Sequence, residues 1–434
     1  MGSTAAFDDG ENSLSSRLWL SGQLNIVNQS HPGFPAKYSG PNSLDNEPEQ
    51  ATTGVATLYT GFGLTKHTEF FFDLESARGA GVSGALGLGG LPDLDAVTDH
   101  LATAAPYVAR AQIRQIIALG HETEEATRNP LGLATLVPSR RLEIRVGKMS
   151  VTDFFDLNSI GSDSHLQFLN YTIDNNAAYD FAAGSRGYTY GVLLELYHPG
   201  WVFRFGEMFE PTDPNGFKTN WNLSRSRSEN YEVEVHRNLL PKHPGIFRLL
   251  AFTNHADMGS YPDAVAAYLS GEDPRPDLAA HIRNGQMNYG FGLNGEQDVN
   301  GIFRLFGRLG WNEGTQEAFQ FAEADRTLAI GMDFGDKRWR RAEDRIGVAF
   351  ALNGLAAIHR TYLELGGISY LLGDSGLNYG REKVTEAYYN FKLHHGIYLA
   401  LDVQNVQCPG YNASRGPVWI FGVRLHLEGD VHFN

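Results

Sequence analysis

The chain has 434 residues, of which 42% are hydrophobic and 20% charged, a balance that excludes a disordered polypeptide. Its 35 basic and 50 acidic residues give a net charge of −15, the wrong sign for a nucleic-acid binder. A single cysteine, Cys408, excludes an intramolecular disulfide framework and any Cys-rich zinc or iron–sulfur site.

The 49 glycines and 12% aromatic residues suit strands and turns better than helices. The start, Met1-Gly2-Ser3-Thr4-Ala5, lacks a basic end and an apolar core, so it does not read as a signal peptide. From Arg17 the pattern becomes strictly alternating. Leu18, Leu20, Leu24 and Ile26 fall on one side, and Trp19, Ser21, Gln23 and Asn25 on the other, which is a strand with one apolar and one polar face. The alternation returns in Thr68–Glu75, Arg141–Val146, Tyr231–His236, Phe303–Leu309, Tyr388–Leu393 and Trp419–Glu428. In chain order, strands are predicted at 17–27, 53–64, 67–77, 106–119, 140–149, 187–197, 200–208, 229–239, 245–255, 285–294, 300–311, 323–333, 344–352, 385–394, 396–406 and 418–428.

Those sixteen strands are joined alternately by tight and long connections. Thr65-Lys66, His198 to Gly200, Leu240 to Pro244 and His395-Gly396 are tight. Residues 28–52, 78–105, 150–186, 209–228, 256–284, 353–384 and 407–417 are long, and 93–104 and 264–283 within them read as locally helical. The turns 120–139 and 334–343 are longer than others on their rim. An even strand count with short turns on one rim and long loops on the other is the layout of an all-β, sixteen-stranded antiparallel transmembrane β-barrel. No helical span competes. The only stretch of 18 or more residues without Asp, Glu, Lys or Arg, Leu18–Ala36, is rich in Asn, Gln, Ser and Pro. The mean hydropathy of −0.29 suits a barrel with a polar lumen as well as a soluble protein.

The alternative is a soluble all-β carbohydrate-binding protein, or a glycoside hydrolase using paired carboxylates, because single strands of a sandwich carry the same alternation. Arginines and acids recurring on the polar faces of successive strands favour the barrel. So do Tyr188, Tyr190, Trp201 and Trp419 at the ends of apolar faces, read as aromatic girdles. On this reading residues 1–434 are one β-barrel domain from which a leader has been removed.

Motifs for other chemistry are weak. Gly79, Gly81 and Gly84 match a dinucleotide-loop spacing, but the glycine-rich run that follows would not form the required helix. Gly373-Asp374-Ser375-Gly376 looks like a protease nucleophile loop without its accompanying residues. The histidines show no ligand spacing, so no catalytic residue, metal or cofactor is expected. Asp153 and Asp156, with Asn158, sit in the long connection after the fifth strand and form the paired-acid candidate. Arg110 and Arg114 share one face of the fourth strand with Gln112, and Arg141, Glu143 and Arg145 share one face of the fifth. Arg204, Arg248, Arg304 and Arg308 extend this set. A single-sign ring would select ions, whereas mixed donors and acceptors beside aromatic rings suit neutral polyhydroxy solutes.

Several stretches resemble the carbohydrate-selective porin family, the OprB-like glucose-inducible porins of Gram-negative outer membranes. They are Pro106–Gln115, Arg141–Asn158, Gln167–Asn170, Arg186–Gly191 and Asn378–Gly380, together with the closing strand. The resemblance implies a bacterial outer-membrane barrel with loops folded into the lumen: one porin domain over 1–434, with residues 1–16 as a periplasmic N-terminal segment and 150–186 as a constriction loop. It also implies passive diffusion of monosaccharides such as glucose, with the lipid bilayer and lipopolysaccharide as surroundings and a monomeric or homotrimeric assembly. Carried over, Arg110, Arg114, Arg141, Glu143, Arg145, Asp153, Asp156 and Asn158 become channel-lining candidates. The tail from Gly429 is expected to overrun the last strand.

Overall fold

A computed structural model of the chain describes residues 17–97, 104–335 and 341–431. Sixteen antiparallel strands close into a barrel in which each strand pairs with its neighbours in order. The first half comprises β1 (Leu18–His31), β2 (Glu49–Gly63), β3 (Thr68–Arg78), β4 (Tyr107–Ala118), β7 (Arg141–Met149), β8 (Thr189–His198), β9 (Trp201–Met208) and β10 (Arg227–His236). The second half comprises β11 (Gly245–Gly259), β12 (Ile282–Asp298), β13 (Phe303–Asn312), β14 (Arg326–Phe334), β15 (Arg345–Gly354), β16 (Glu382–His394), β17 (Ile397–Gln407) and β18 (Val418–Asp430). Closure runs from Ser21 opposite Asp430 to Ser30 opposite Phe421, so no barrel strand is left with an open edge.

The two faces of the wall are inverted relative to a water-soluble protein. Inward positions are polar and buried: Asn25 and Gln29 on β1, Glu69, Asp73 and Glu75 on β3, and Arg141, Glu143 and Arg145 on β7. Outward positions are apolar and exposed, including Phe70, Ile113, Val146, Phe203, Val233, Leu249, Phe291, Leu309, Ile330, Leu401 and Phe421. Water would penalise such a continuous apolar outer wall, and hydrocarbon would not. Among the described residues no second sheet covers these side chains, and the strands close into one barrel instead of the two facing sheets of a sandwich.

The register also depends on one close approach. Gly147 on β7 has a φ of +138°, and a Cβ there would lie 2.2 Å from the carbonyl oxygen of Ala111 on β4. Opposite it, β3 and β4 slip register between Asp73 and Leu74, a bulge that keeps Arg110, Gln112 and Arg114 on the inner face.

The structure departs from the sequence reading mainly outside the wall. Several strands run further toward the long-loop rim, β1 to His31 and β12 from Ile282. The 120–139 turn holds its own two-stranded hairpin, β5 (Thr123–Glu125) with β6 (Leu136–Pro138). The helix expected in 264–283 spans Tyr261–Ser270, and helices at Tyr171–Asp174 and Ala357–Glu364 were not expected. Residues 93–97 form a turn, and the rest of that predicted helical stretch up to 103 lies outside the described residues, as do 1–16. The tail does not overrun at 428. β18 continues to Asp430, and the Val431 N–H donates to the Leu20 carbonyl at 2.8 Å.

The long connections fold back into the barrel. Phe154, Phe155, Tyr171, Tyr179 and Phe181 from 150–186 pack with Phe252 of the wall and with Tyr261, Tyr362 and Leu372 of other long connections. This apolar cluster lies inside the barrel, in the half nearer the long-loop rim.

Candidate functional site: a charged wall and an inserted loop

Alternation on adjacent strands stacks the arginines and acids into a lateral ladder. Arg110 donates through Nε and Nη2 to both carboxylate oxygens of Asp153 (2.7 and 2.6 Å) and through Nη1 to Asp73 (3.3 Å). Arg114 donates to both oxygens of Glu143 at 2.7 Å and to Glu69 at 2.8 Å. Glu143 also accepts from Arg141 at 2.6 Å and lies 3.6 Å from Arg145. Arg141 reaches Glu124 of the small hairpin at 2.8 Å. Arg145 continues the ladder to Glu195 (3.2 Å), Arg204 joins Glu195, Glu232 and Glu234, and Arg248 joins Glu234 and Glu296. Bidentate pairs of this kind fix both side chains in geometry and charge.

Residues 150–186 are tied to that wall from within. Asp156 adopts a left-handed φ of +57° and turns its carboxylate to Arg308, at 2.9 Å from Nε. Arg308 is fully buried. It also donates to the carbonyls of Gly161 (3.0 Å) and Ile173 (2.8 Å) and to the Ser162 hydroxyl (2.6 Å). The Asp156 N–H donates to Glu232 and the Ser159 N–H to Glu296, each at 2.8 Å. Glu386 accepts from the N–H groups of Leu169 and Asn170 (2.5 and 3.1 Å), and Tyr179 donates to Asn230 at 2.6 Å. Wall acids therefore hold loop amides, and a wall arginine holds loop carbonyls.

The inserted loop leaves a cavity of about 830 Å³ on the short-turn side and one of about 190 Å³ on the long-loop side. Arg110, Arg114, Glu143, Arg145 and Asp153 line the larger one, together with Tyr59, Tyr197, Glu195 and Arg204. Arg141 is outside that lining, with its guanidinium 3.7 Å from the Tyr197 ring centre. Asp156 and Asn158, expected in the channel, are buried against the wall instead. Asn158 donates through its side-chain amide to Asn294 at 2.8 Å, and its side-chain oxygen Oδ1 accepts the Ile160 N–H. Asp153 and Asp156 thus hold different arginines and do not form a hydrolytic pair.

The two cavities meet at His165, which lines both. Its Nε2 lies 3.3 Å from Asp95 in the 79–106 connection, and its ring stacks on His426 at 5.4 Å. Burial would lower the pKa of His165, but the Asp95 carboxylate overrides it and holds the imidazole up at about 9. Beside it, Tyr188 donates to Glu75 at 2.9 Å and lies 5.3 Å beneath the Arg110 guanidinium. Tyr107 also donates to Glu75. Tyr188 was expected in the outer aromatic girdle. It lies one residue before β8 begins and turns into the lumen, whereas Tyr190 faces outward. Asp95, His165 and Tyr107 were not singled out in the sequence. They come from three separate segments, and only the adjacency of Tyr188 to Arg186 and Gly187 gave a local signal.

Among the described residues, no group of three or more His, Cys, Asp or Glu side chains is arranged to hold a metal ion. Asp374 of the protease-like loop instead bonds Ser43 and Asn412, tying three long connections together. The glycine-rich loop at 79–84 leads into a short 3-10 turn at Val82–Ala85, not into a nucleotide-binding helix.

This architecture is similar to that of Pseudomonas putida OprB in its high-pH structure, with 13% identity, a TM-score of 0.72, and 96% of this chain and 95% of that one covered. The low-pH structure of the same protein aligns with 11% identity and a TM-score of 0.49 over 99% and 100% of the chains. The outer-membrane channel DcaP of Acinetobacter baumannii aligns with 8% identity and a TM-score of 0.48 over 95% and 97%. No curated protein sequence matches the chain. The family model for carbohydrate-selective porins, OprB family, matches residues 41–428, from the connection after β1 to two residues before the end of β18; the chain belongs to that family, and family and fold together indicate an outer-membrane channel.

Proposed function

We propose that the channel passes monosaccharides such as glucose by passive diffusion, with selection at the junction of the two cavities. The observation that carries this reading is the composition of the junction: Arg110 and Asp153 as a fixed donor–acceptor pair, with Tyr188, Tyr107 and Glu75 beside them. A sugar presents hydroxyls that both donate and accept, and C–H faces that pack on aromatic rings. The Arg–Glu ladder offers both polarities in turn, and each of its arginines is held by at least one acid, so an anion finds no free cation in it. Arg114, Glu143, Arg145, Glu195 and Arg204 continue the donor–acceptor series along the larger cavity, giving weak, repeated contacts instead of one trap. Asp156, Asn158 and Arg308 serve by holding the loop that narrows the lumen.

Liposome swelling with glucose, sucrose and a salt tests this reading. Faster swelling in glucose than its size advantage over sucrose predicts, with modest salt conductance, is the expected result. Equal rates after size correction, or conductance typical of a wide ion pore, would remove the sugar selectivity.

A further inference from the structure

We propose that the outer face of β14–β16 at the long-loop rim carries a binding site for the phosphate-bearing headgroup of an outer-leaflet lipid, formed by Arg326, Arg381 and Lys383. The inference rests on the outer-membrane location and adds a ligand that the channel's lumen does not supply.

Side-chain parity puts the three cations outside. Val384, Glu386 and Tyr388 of β16 are buried inward, so Lys383 and, just before the strand, Arg381 project outward, and both are exposed. On β14, Arg326 shares the outer face with Leu328 and Ile330. Arg326 stands in register with Gly354 of β15. A Cβ at Gly354 would lie 3.2 Å from the Tyr379 hydroxyl and 3.8 Å from Arg381, which places both on the same outer surface. With strands about 4.8 Å apart, Arg326 and Arg381 flank this notch across roughly 10 Å, with Lys383 one outward position deeper. A phosphorylated headgroup fits that span.

Charge compensation separates this sector from the neighbouring rim. Arg225 is 2.9 Å from Asp257, Arg227 is 2.8 Å from Glu229, and Arg283 is 2.7 Å from Asp263, so each of these three rim arginines carries its own acid. Among the described residues of the β14–β16 sector at this rim, only Arg360 has one, Glu364 at 3.4 Å. Arg326 donates to the backbone carbonyls of Asn312 and Asp325 and, among the described residues, forms no ion pair with a carboxylate. Among the described residues, Arg381 and Lys383 enter no hydrogen bond or ion pair with an acid. Three cations without a paired carboxylate, in a chain of net charge −15, therefore gather at the level where lipid headgroups lie.

Aromatic side chains complete an interfacial anchor. The Arg326 guanidinium lies 4.8 Å from the Trp311 ring centre, Phe291 stacks on Trp311 at 5.2 Å, and Arg360 lies 5.1 Å over Tyr379. Rings of this kind sit at the boundary between acyl chains and headgroups, so the cations above them meet phosphate, not hydrocarbon.

The test is native mass spectrometry of the full chain in detergent. It is titrated with bisphosphorylated lipid A, with dephosphorylated lipid A, and with inorganic phosphate alone. Wild type is compared with Arg326→Gln/Arg381→Gln/Lys383→Gln and with the control Arg225→Gln. Retention of the phosphorylated lipid should fall by about tenfold or more in the triple variant and stay unchanged in the control. The dephosphorylated lipid should bind wild type no better than it binds the triple variant. Equal retention by wild type and triple variant, equal binding of both lipids, or saturation by inorganic phosphate alone would overturn the proposal. If the triple variant does not fold, Arg381→Gln and Lys383→Gln are read singly, and a loss in neither overturns it. Sugar flux measured on the same samples keeps the two readings apart, since lipid binding and sugar selectivity fail independently.

Discussion

Replacing Arg308 by Met should loosen the loop that narrows the lumen while leaving the barrel closed. Arg308 is fully buried and holds Asp156, Gly161, Ser162 and Ile173, four points along a segment that otherwise has to be pinned across the lumen. Methionine fills much of the same volume but provides no donor. It leaves the Asp156 carboxylate with only Asn294 and the Asn176 N–H as partners, and the carbonyls of Asp156, Gly161 and Ile173 without a donor from this side chain. Removing one member of a buried, hydrogen-bonded ion pair costs about 3–5 kcal/mol. At about 1.4 kcal/mol per decade, the docking equilibrium of residues 156–174 shifts by two to three and a half decades. Glu232, Glu296 and Glu386 remain as anchors, so the loop should visit an undocked state instead of staying in it. Planar-bilayer recording should then show a higher mean conductance with added noise, and liposome swelling should show a reduced preference for glucose over sucrose. A heat-modifiable, correctly folded Arg308→Met channel with wild-type conductance and discrimination would refute the reasoning.

The double variant Arg110→Gln/Arg114→Gln should reduce glucose flux and shift ion selectivity toward cations, because Asp153, Glu69 and Glu143 lose their compensating charges; reversal-potential measurements read the shift, and unchanged flux and selectivity would discard the role of these arginines. The His165–Asp95 contact raises the histidine pKa, so its contribution is complete below the ordinary value of 6.5 and is lost as pH rises through about 9. Current noise should therefore increase between pH 7 and 10 in wild type and be pH-independent over that range in His165→Gln. Gly147→Ala forces a Cβ against the Ala111 carbonyl, so the temperature at which the barrel unfolds on a semi-native gel should drop, while Gly187→Ala, with nothing near its Cβ position, should cost less.

The wall was legible in the sequence because a strand's side chains alternate with period two, so a lipid-facing and a lumen-facing set separate in any strand of five or more residues. Arg110, Arg114, Glu143 and Arg145 could be placed on one inner surface on that basis alone. The loop was legible only as polar and acidic. Whether Asp156 faces the cavity or the wall depends on its left-handed backbone and on Arg308, 152 residues away, and neither has a local signature. Asn158 was misplaced for the same reason. Tyr188 was misplaced because it precedes the strand whose alternation would have oriented it. The helices at Tyr171–Asp174 and Ala357–Glu364 are four and eight residues long, too short to impose a period of 3.6 on the sequence.

The ladder also explains why so many charges are tolerated inside a narrow lumen. Isolated, each buried arginine or acid would cost several kcal/mol in desolvation. Linked, Glu143 serves three arginines, Arg204 serves three acids, and Glu234 bridges Arg204 to Arg248, so none of these three depends on a single partner. Such a network is rigid, because every rotamer is fixed from two sides, and its field alternates in sign over a few ångströms. In the proposed channel those two properties work together. A passing sugar exchanges one set of water hydrogen bonds for another along a fixed track and meets no deep electrostatic well in which to stop. Breaking one link should therefore cost more than that pair's own energy, and a double-mutant cycle on Arg204 and Glu195 should give a coupling that shrinks when Arg145 is already neutralised. A coupling that does not change with Arg145 would mean that the ladder is a row of independent pairs, and the rigid track would lose its basis.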